Sequence, residues 1–230
     1  MPHNFFITGM PKTGKTGLLR RIVEDLRKQG LRVGGFLSPE ELHHGTRNAF
    51  QVEDLATGKR GLLADVSADG PKVSKYHVEI ASFESVAIPI MEEFSRYDVF
   101  VIDEIGPMEL KSSRFAELLD SLFESQTPLI ASLHESLVGH YGSYGEVFYL
   151  EKNNREDIYD QLVEKIRLAR YSRRPEVARK KPAVAKKPTK AKVRKAKPSR
   201  PAKKLVKKKK AKAKKKRKGV LKNIRNLLGF

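Results

Sequence analysis

Apolar and polar positions alternate along the chain in blocks that predict strands and helices in turn. Residues 4–8 (NFFIT) form a short apolar run before a glycine, as a buried strand does. From Thr16 to Gly30, aliphatic residues recur at helical spacing, and the glycine is a typical helix stop. Similar patterns predict strands in 31–37, 127–134 and 145–150, and helices in 81–97, 114–125 and 154–170. Pro89 is expected to kink or delay the helix in 81–97.

One run is more apolar than the rest. Residues 98–103 (DVFVID) are apolar at four consecutive positions, which is typical of a strand covered on both faces in a parallel sheet. Residues 48–64 and 75–80 instead alternate around a Thr-Gly turn and predict short antiparallel strands. Strands that alternate with helices favour an α/β sandwich with a mostly parallel central sheet. We expect this domain to occupy residues 1–170 and to include a small antiparallel hairpin region.

The stretch GMPKTGKT, residues 9–16, fits the phosphate-loop pattern G-x-x-x-x-G-K-[ST] between the first strand and the first helix. Its glycines let backbone N–H groups converge on a phosphate at the positive end of the helix. Lys15 is expected to reach the β- and γ-phosphates, and Thr16 to offer its hydroxyl to Mg²⁺. A chance match on a polar turn is the alternative. The nucleotide-binding residues predicted here are Gly9, Met10, Pro11, Lys12, Thr13, Gly14, Lys15 and Thr16.

A magnesium partner is predicted at the end of the run VFVIDEIG. Asp103 follows four apolar residues, so its carboxylate is expected at the carboxyl edge of the sheet, where ligands of open α/β sheets bind. We expect Asp103 and Thr16 to hold the metal, and Glu104 to position and deprotonate an attacking water. An acidic turn after a strand is the alternative interpretation. Lys15 and Glu104 are the predicted catalytic residues, and the nucleotide-binding set is completed by Asp103, Glu104, Ile105 and Gly106.

The run VFVIDEIGPMELKSSRF resembles the signature of a small P-loop nucleoside-triphosphatase family, known in thermophiles and as the cancer-related nucleoside-triphosphatase. GFLSPEELHHGTRNAF, VSKYHV and NNRED are similar to further family segments in the same order, so the resemblance covers about residues 3–168. It implies a RecA-like P-loop fold and Mg²⁺-dependent hydrolysis of nucleoside triphosphates with little base preference. The chain departs from the family at Lys12, where glycine is usual. If φ is positive there, a lysine costs about 1–2 kcal/mol, a variation the loop is expected to tolerate.

Four further polar residues are candidates for contacting the triphosphate. Ser132 and His134 follow the strand in 127–134 and would reach the same sheet edge, where they are expected to sense the γ-phosphate. A histidine held by a structural hydrogen bond is the alternative. Arg47 and Arg155 would neutralise charge in the transition state, although isolated arginines are more often solvated or paired. An arginine supplied by a neighbouring protein is the other possibility, because such a finger is worth ~10³–10⁵ in rate.

Charge divides the chain into two unlike parts. Residues 171–230 hold 27 of the 47 Lys and Arg residues and a single acidic residue, Glu176, whereas the preceding part is mildly acidic. Residues 171–218 are rich in Lys, Ala and Pro and are predicted to be disordered, because they cannot bury enough apolar area to offset ordering. They are expected to bind DNA or RNA through phosphates without sequence preference. A solvated extension without a specific partner is the alternative.

The last twelve residues, 219–230, change character again. Their apolar side chains fall on one helical face, which predicts a short amphipathic helix that docks on a partner or an anionic membrane surface. The chain has no cysteine, which excludes disulfides, thiolate nucleophiles and zinc sites built on sulfur. No signal peptide or membrane-spanning run is recognised, and a cytoplasmic location, with nucleic-acid association through the tail, is expected.

The leading interpretation of the sequence is an Mg²⁺-dependent nucleoside triphosphatase with a nucleic-acid-attracting tail. A nucleotide or small-molecule kinase on the same loop is one alternative. It ranks lower because no arginine-rich lid is found and because a glutamate after Asp103 suits water activation. A nucleic-acid-associated protein that uses the nucleoside triphosphate as a switch is the other.

Overall fold

Strands and helices alternate along the part of the chain that the computed structural model describes, residues 3–43 and 46–173. The strands are β1 (Asn4–Thr8), β2 (Val33–Leu37), β3 (Glu40–His43), β4 (Thr46–Asp54), β5 (Arg60–Asp65), β6 (Lys72–Val73), β7 (Tyr76–Val78), β8 (Val99–Ile105), β9 (Leu129–Leu133) and β10 (Glu146–Tyr149). The helices are α1 (Lys15–Lys28), α2 (Ile80–Glu92), α3 (Ser113–Phe123), α4 (Val138–Tyr141) and α5 (Arg155–Arg173).

A single sheet runs through these elements and has a parallel and an antiparallel half. The parallel half has the order β10-β1-β9-β8-β2, and every neighbouring pair in it is parallel. β4, β5, β7 and β6 continue the sheet from β2 by antiparallel pairing, and β3 pairs with β4 alone. This confirms the predicted α/β fold with a mostly parallel core and a hairpin region. Because β1, β2, β8 and β9 point the same way, their carboxyl ends share one edge.

Helices cover both faces of the parallel half because its strands are apolar on both faces. Phe5 and Ile7 of β1 lie in one core cluster with the buried faces of α1 and α5. Phe6 points to the opposite face, since successive strand side chains alternate, and its ring meets Phe123 of α3 edge-to-face at 5.7 Å. The side chains of Phe5, Phe6 and Ile7 are no more than 2% exposed. Removal of such rings from water is the dominant source of stability for the fold.

Three phenylalanines join α2 and α3 to the middle of the sheet. Phe36 of β2 lies 5.7 Å from Phe83 and 6.0 Å from Phe115, and the last two rings are 5.5 Å apart. Each is fully buried. This cluster packs α3 against the sheet. The N-terminus of α3 follows the turn after β8.

The helices differ in detail from the sequence predictions. Pro89 lies inside α2, which begins at Ile80, so a late helix start at Pro89 is wrong. The spacing in 114–125 predicts an apolar face of Phe115, Leu118, Leu119 and Leu122, but on α3 Ala116 is buried and Leu118 only half-buried, so the face is slightly rotated. The short helix α4 was not predicted. Helix α5 extends to Arg173, three residues past the domain boundary predicted at 170.

Two differences concern strands. The strand β3 was not predicted from the sequence, because its residues carry little apolar alternation. Strand β8 extends to Ile105, so Asp103 and Glu104 lie within the strand rather than after it. The predicted disordered segment 171–218 and the helix in 219–230 fall on residues 174–230, outside the described part of the chain, apart from the end of α5. Among the helices described, none combines the length and apolarity that crossing a bilayer requires.

Candidate active site

The phosphate loop joins β1 to α1 and has the left-handed backbone conformations that its glycines predict. φ is +136° at Gly9 and +93° at Gly14, both in the region that favours glycine. Lys12 also has a positive φ, +67°, which confirms that this lysine occupies a position suited to glycine. Its side chain is exposed. The strain expected for a lysine in this conformation is about 1–2 kcal/mol.

Lys15 folds back over the loop from the first turn of α1. Its Nζ donates to the carbonyl of Gly9 at 2.8 Å and reaches that of Met10 at 3.5 Å. Thr13 closes the loop from the other end, because its hydroxyl donates to the same Met10 carbonyl at 2.9 Å. The ammonium group is therefore held at the mouth of the loop by exchangeable hydrogen bonds. A bound phosphate would offer it stronger, charge-assisted ones.

Arg155, the first residue of α5, lies against the phosphate loop. Its Nη2 donates to the carbonyl of Gly14 at 2.7 Å. A Cβ at Gly14 would lie 1.9 Å from that same nitrogen, so a larger residue there would have to displace the Arg155 guanidinium, while the φ of +93° itself favours glycine. Asn154 orients the start of α5, because its side chain accepts from the N–H of Glu151 and donates to the carbonyl of Tyr149. Arg155 therefore lies against the phosphate loop, and its guanidinium group is hydrogen-bonded to the backbone of the loop.

Asp103 is buried on the central strand β8 beside the loop. Its Oδ1 accepts a 2.6 Å hydrogen bond from the hydroxyl of Ser132 on β9. Its Oδ2 is buried and has no well-aligned hydrogen-bond partner among the described residues. Burial raises the pKa of Asp103, while the hydroxyls of Ser132 and Thr16 and the backbone N–H of Ser38 oppose that shift. Thr16 and Asp103 are thus neighbours, as a shared metal requires.

The strand is irregular where the two acidic residues lie. On β8, Ile102 pairs with Ala131 and Ile105 with Leu133, so three steps along β8 match two along β9. Such a bulge re-aims side chains and is common next to active sites. The peptide bond between Asp103 and Glu104 is cis. Asp103 is buried and Glu104 half-buried, at the carboxyl edge of the sheet.

The acidity of Glu104 is strongly perturbed by its surroundings. Burial raises its pKa to about 7, the charge of Lys15 lowers it in part, and the neighbouring Asp103 raises it again. A carboxyl group with a pKa near the working pH is suited to accept a proton, because it is available in its basic form and still binds a proton well. The environment of Glu104 therefore matches the role that the sequence predicted for it.

Ser132 and His134 lie at the same edge but have different surroundings. Ser132 is fully buried, and its hydroxyl proton is engaged by Asp103. His134 is half-buried, and its Nδ1 accepts from the N–H of Ser136 at 3.3 Å, which leaves the ring proton on Nε2. Burial and the nearby charge of Lys15 lower the pKa of His134. Its surroundings therefore favour the neutral form of the ring.

The remaining predicted residues are placed as follows. Met10 is 64% exposed and Pro11 is also exposed, at the rim of the loop. Ile105 and Gly106 are buried at the end of β8. Arg47 lies on β4, opposite Leu42 of β3, and its side chain falls outside the described part of the structure.

Sequence reasoning missed one buried acid near the site. Glu109 is 4% exposed, on a 3₁₀ turn that follows β8. Burial and the charge of Glu104 raise the pKa of Glu109 well above its ordinary value, and Asp103 adds to this. Periodicity offers no signal for such a residue, because it lies in a turn. The only hint was its place in the MEL segment of the family signature.

The oxygen groups present fit a magnesium ion. Asp103 Oδ2 is a buried carboxylate oxygen with no well-aligned hydrogen-bond partner in residues 3–43 and 46–173, and the Thr16 hydroxyl lies beside that carboxylate. Within the described residues, no cluster of three or more His, Asp or Glu side chains could hold a metal by itself. That pattern suits Mg²⁺, which binds through one or two protein oxygens and completes its shell with water and substrate phosphates. Thr16 and Asp103 are therefore the residues that would hold it.

Comparison with known proteins agrees with this geometry. A family model described as NTPase matches residues 4–163. The nucleoside-triphosphatase THEP1 of Pyrococcus abyssi is 40% identical over 164 residues, which cover 71% of this chain and 92% of the relative. THEP1 of Methanocaldococcus jannaschii is 38% identical over 162 residues, covering 70% and 95%.

Solved structures show the same likeness. The crystal structure of THEP1 from Aquifex aeolicus superposes with a TM-score of 0.62 at 29% identity, covering 71% of this chain and 98% of that one. The solution structure of a human cancer-related nucleoside triphosphatase has a TM-score of 0.60 at 29% identity, covering 75% and 99%. The family model spans well over half of the chain and includes both the phosphate loop and Asp103–Glu104. The chain therefore belongs to the NTPase family of small P-loop nucleoside triphosphatases.

Proposed function

We propose that this protein is a Mg²⁺-dependent nucleoside triphosphatase that hydrolyses the γ-phosphate of ATP, GTP and other nucleoside triphosphates. The observation that carries the proposal is the buried Oδ2 of Asp103, which has no well-aligned hydrogen-bond partner among the described residues although Thr16 lies beside the carboxylate. An orphaned buried oxygen is costly unless something binds it. A divalent cation delivered with the nucleotide would satisfy it.

Each residue has a part in the proposed reaction. The phosphate loop binds the β- and γ-phosphates through its N–H groups, and Lys15 exchanges the Gly9 carbonyl for phosphate oxygens. Glu104 orients a water and accepts its proton as that water attacks the γ-phosphorus. The bond to the β–γ bridging oxygen breaks, so the products are a nucleoside diphosphate and inorganic phosphate. Bound Mg²⁺ would supply charge neutralisation on the phosphates.

Breadth toward the base is also part of the proposal. The contacts proposed above engage phosphates and metal only. Binding energy that comes mainly from the triphosphate distinguishes bases weakly. We therefore expect ATP, GTP, CTP and UTP to be hydrolysed with similar kcat/KM.

The experiment is phosphate release from each of the four nucleotides, with Mg²⁺ or with EDTA, and without any acceptor. Lys15→Ala is expected to abolish turnover and Glu104→Gln to lower it strongly, whereas Lys12→Gly should stay within a few-fold of the parent. Equal losses from Lys15→Ala and Lys12→Gly would contradict the assigned role of Lys15. Release that required an added acceptor would favour the kinase alternative.

A second proposal concerns the basic segment. Residues 171–230 carry 27 basic residues and one acidic residue, a density that attracts the phosphates of DNA or RNA. We expect binding without sequence preference that weakens steeply with salt. Truncation after Arg173, which keeps α5 complete, should abolish binding and leave basal phosphate release intact. If nucleic acid stimulates release only in the full chain, the switch alternative is favoured.

A further inference from the structure

The structure buries a third carboxyl group beside Asp103 and Glu104 that the proposed reaction does not use. Glu109 lies on the 3₁₀ turn Glu109–Lys111, and its side chain is almost completely removed from solvent. A buried carboxyl group in a turn needs a reason, because burial of an unpaired acid is costly. Its neighbours supply that reason.

The carboxyl group of Glu109 folds back onto the turn that follows β8. A Cβ built at Gly106 would lie 2.8 Å from Glu109 Oε2 and 3.7 Å from the carboxyl carbon of Glu104. Both carboxyl groups thus lie close to the point that a Cβ would occupy at Gly106. The N–H groups of Gly106 and of Glu109 itself lie near enough to the Glu109 carboxyl group to lower its pKa.

The turn that carries Glu109 is itself firmly held. Leu110 donates its N–H to the carbonyl of Gly106 at 3.1 Å, and Ser112 donates to that of Glu109 at 3.0 Å. The hydroxyl of Ser112 then caps α3 by accepting from the N–H of Phe115 at 3.1 Å. Glu109 therefore lies between the capped start of α3 and the backbone two residues after Glu104.

We propose that Glu109 is a positioning residue: its carboxyl group holds the Gly106 N–H and thereby fixes the backbone that presents Glu104 to the attacking water. This inference rests on the proposed function for its effect on turnover, but not for its effect on the Gly106 amide. A general base must be within hydrogen-bond reach of the water it deprotonates, so a loose Glu104 loses rate without losing nucleotide affinity.

The protonation of Glu109 decides which substitutions are informative. Burial and the neighbouring carboxylate of Glu104 raise the pKa of Glu109 well above its ordinary value, which favours its neutral form. Glutamine has the same shape, is also neutral and keeps an acceptor oxygen for the Gly106 N–H. Methionine has a similar length and no such acceptor. Glu109→Gln and Glu109→Met therefore separate the hydrogen bond from simple filling of space.

The test compares these two variants in the full chain, with Glu117→Gln and Glu117→Met as matched controls on the exposed face of α3. We expect Glu109→Met to lower kcat by roughly tenfold or more with KM within about threefold, the pattern of a lost transition-state effect. Glu109→Gln should retain most of the parent kcat. Hydrogen exchange of the Gly106 amide, followed by NMR, should accelerate roughly tenfold or more in Glu109→Met and little in Glu109→Gln.

The outcomes separate this inference from the proposed function. If the parent chain releases no phosphate from any nucleotide, the proposed function fails, and the Gly106 amide still tests Glu109. Unchanged exchange at Gly106 in Glu109→Met would overturn the inference whatever the activity. So would a parent-like kcat in Glu109→Met, a kcat in Glu109→Gln as low as in Glu109→Met, or a Glu109→Met chain that is unfolded at the assay temperature.

Discussion

The hydroxyl of Ser132 on β9 donates a 2.6 Å hydrogen bond to Oδ1 of Asp103 on β8. Both residues are buried, and the strands that carry them are parallel neighbours. Because Oδ1 is occupied, Oδ2 is the oxygen of Asp103 left without a hydrogen bond in the described structure. Ser132 therefore leaves Oδ2 as the carboxylate oxygen available to a metal, and its predicted contact with the γ-phosphate stays a prediction.

Ser132→Ala should weaken both the fold and the metal site. Loss of the hydroxyl leaves Oδ1 buried and unsatisfied, which costs about 1–3 kcal/mol in the free energy of unfolding. A carboxylate with two free oxygens also rotates more freely, so the Mg²⁺ concentration for half-maximal turnover should rise. Urea unfolding and Mg²⁺ titration of phosphate release measure the two effects. Ser113→Ala, on an exposed helix position, is the control and should change neither; parent-like behaviour of Ser132→Ala would contradict the prediction.

Lys12→Gly should not destabilise the protein, although it removes a side chain. The backbone at position 12 has φ of +67°, which glycine adopts without the strain that a lysine bears. Relief of about 1–2 kcal/mol of strain is partly offset by the greater freedom of glycine in the unfolded chain, about 0.4–1 kcal/mol. We expect the free energy of unfolding to rise slightly or stay constant in urea titrations. Lys12→Ala keeps the strain and is the control; a clear loss of stability in Lys12→Gly alone would count against this account.

Turnover should rise as pH increases through about 7, because burial raises the pKa of Glu104 to about 7 and only its ionised form accepts a proton. The parent chain should therefore show a kcat/KM limb with an apparent pKa near that value between pH 5.5 and 9. In Glu104→Gln the limb should disappear along with most of the activity. A limb unchanged in the residual activity of Glu104→Gln would assign the titration to another group.

Stability of the metal-free protein should change with pH in the opposite direction. The pKa of Glu104 is higher in the folded chain than its ordinary value of 4.5, so between pH 4.5 and 7 the folded state binds more protons than the unfolded state. The free energy of unfolding therefore falls as pH rises through this window, by roughly 3 kcal/mol at most from this group. Asp103 and Glu109, whose pKa values are also raised, act in the same sense. Urea unfolding in EDTA at pH 5 and pH 8 measures the difference, which Glu104→Gln should reduce.

Arg155→Ala should weaken nucleotide binding more than catalysis. Its guanidinium holds the Gly14 carbonyl at 2.7 Å, so its loss frees the phosphate loop from α5 before the nucleotide arrives. Ordering the loop on binding then costs affinity, and we expect Kd for a fluorescent ATP analogue to rise about three- to tenfold. Arg155→Lys keeps one donor and should lie between the parent and Arg155→Ala. A large fall in kcat with unchanged Kd would instead support the role first predicted for Arg155, neutralising charge in the transition state.

Much of the candidate site could be predicted from local patterns in the sequence. The phosphate loop and the Asp103–Glu104 pair were recognised from the sequence because each is contiguous, and their backbone needs are met by residues within a few positions. The end of β8 was predicted less well. Asp103 and Glu104 lie inside the strand, where a register shift against β9 re-aims them. Such a shift depends on the partner strand and leaves no mark in the apolar pattern of β8.

Long-range pairing explains the features that were missed. Ser132 and Asp103 are 29 positions apart, and Arg155 and Gly14 are 141 apart. Neither hydrogen bond follows from spacing, because only the strand order and the start of α5 bring the partners together. Glu109 was missed for a related reason: its burial is set by the packing of the turn between β8 and α3, while its sequence surroundings resemble an exposed loop.

By itself the sequence determined the class of the fold and the positions of the phosphate loop, of Lys15 and of the acidic pair, since these depend on periodicity and on residues that are close neighbours along the chain. Tertiary structure alone decided how those groups are tuned. The packed structure gives Asp103 a hydrogen bond from Ser132 and raises the pKa of Glu104 by burying it. It also brings the carboxyl group of Glu109 close to Gly106. The physical reason is that burial and hydrogen-bond partners are properties of the packed chain, in which residues distant in sequence share one poorly solvated space.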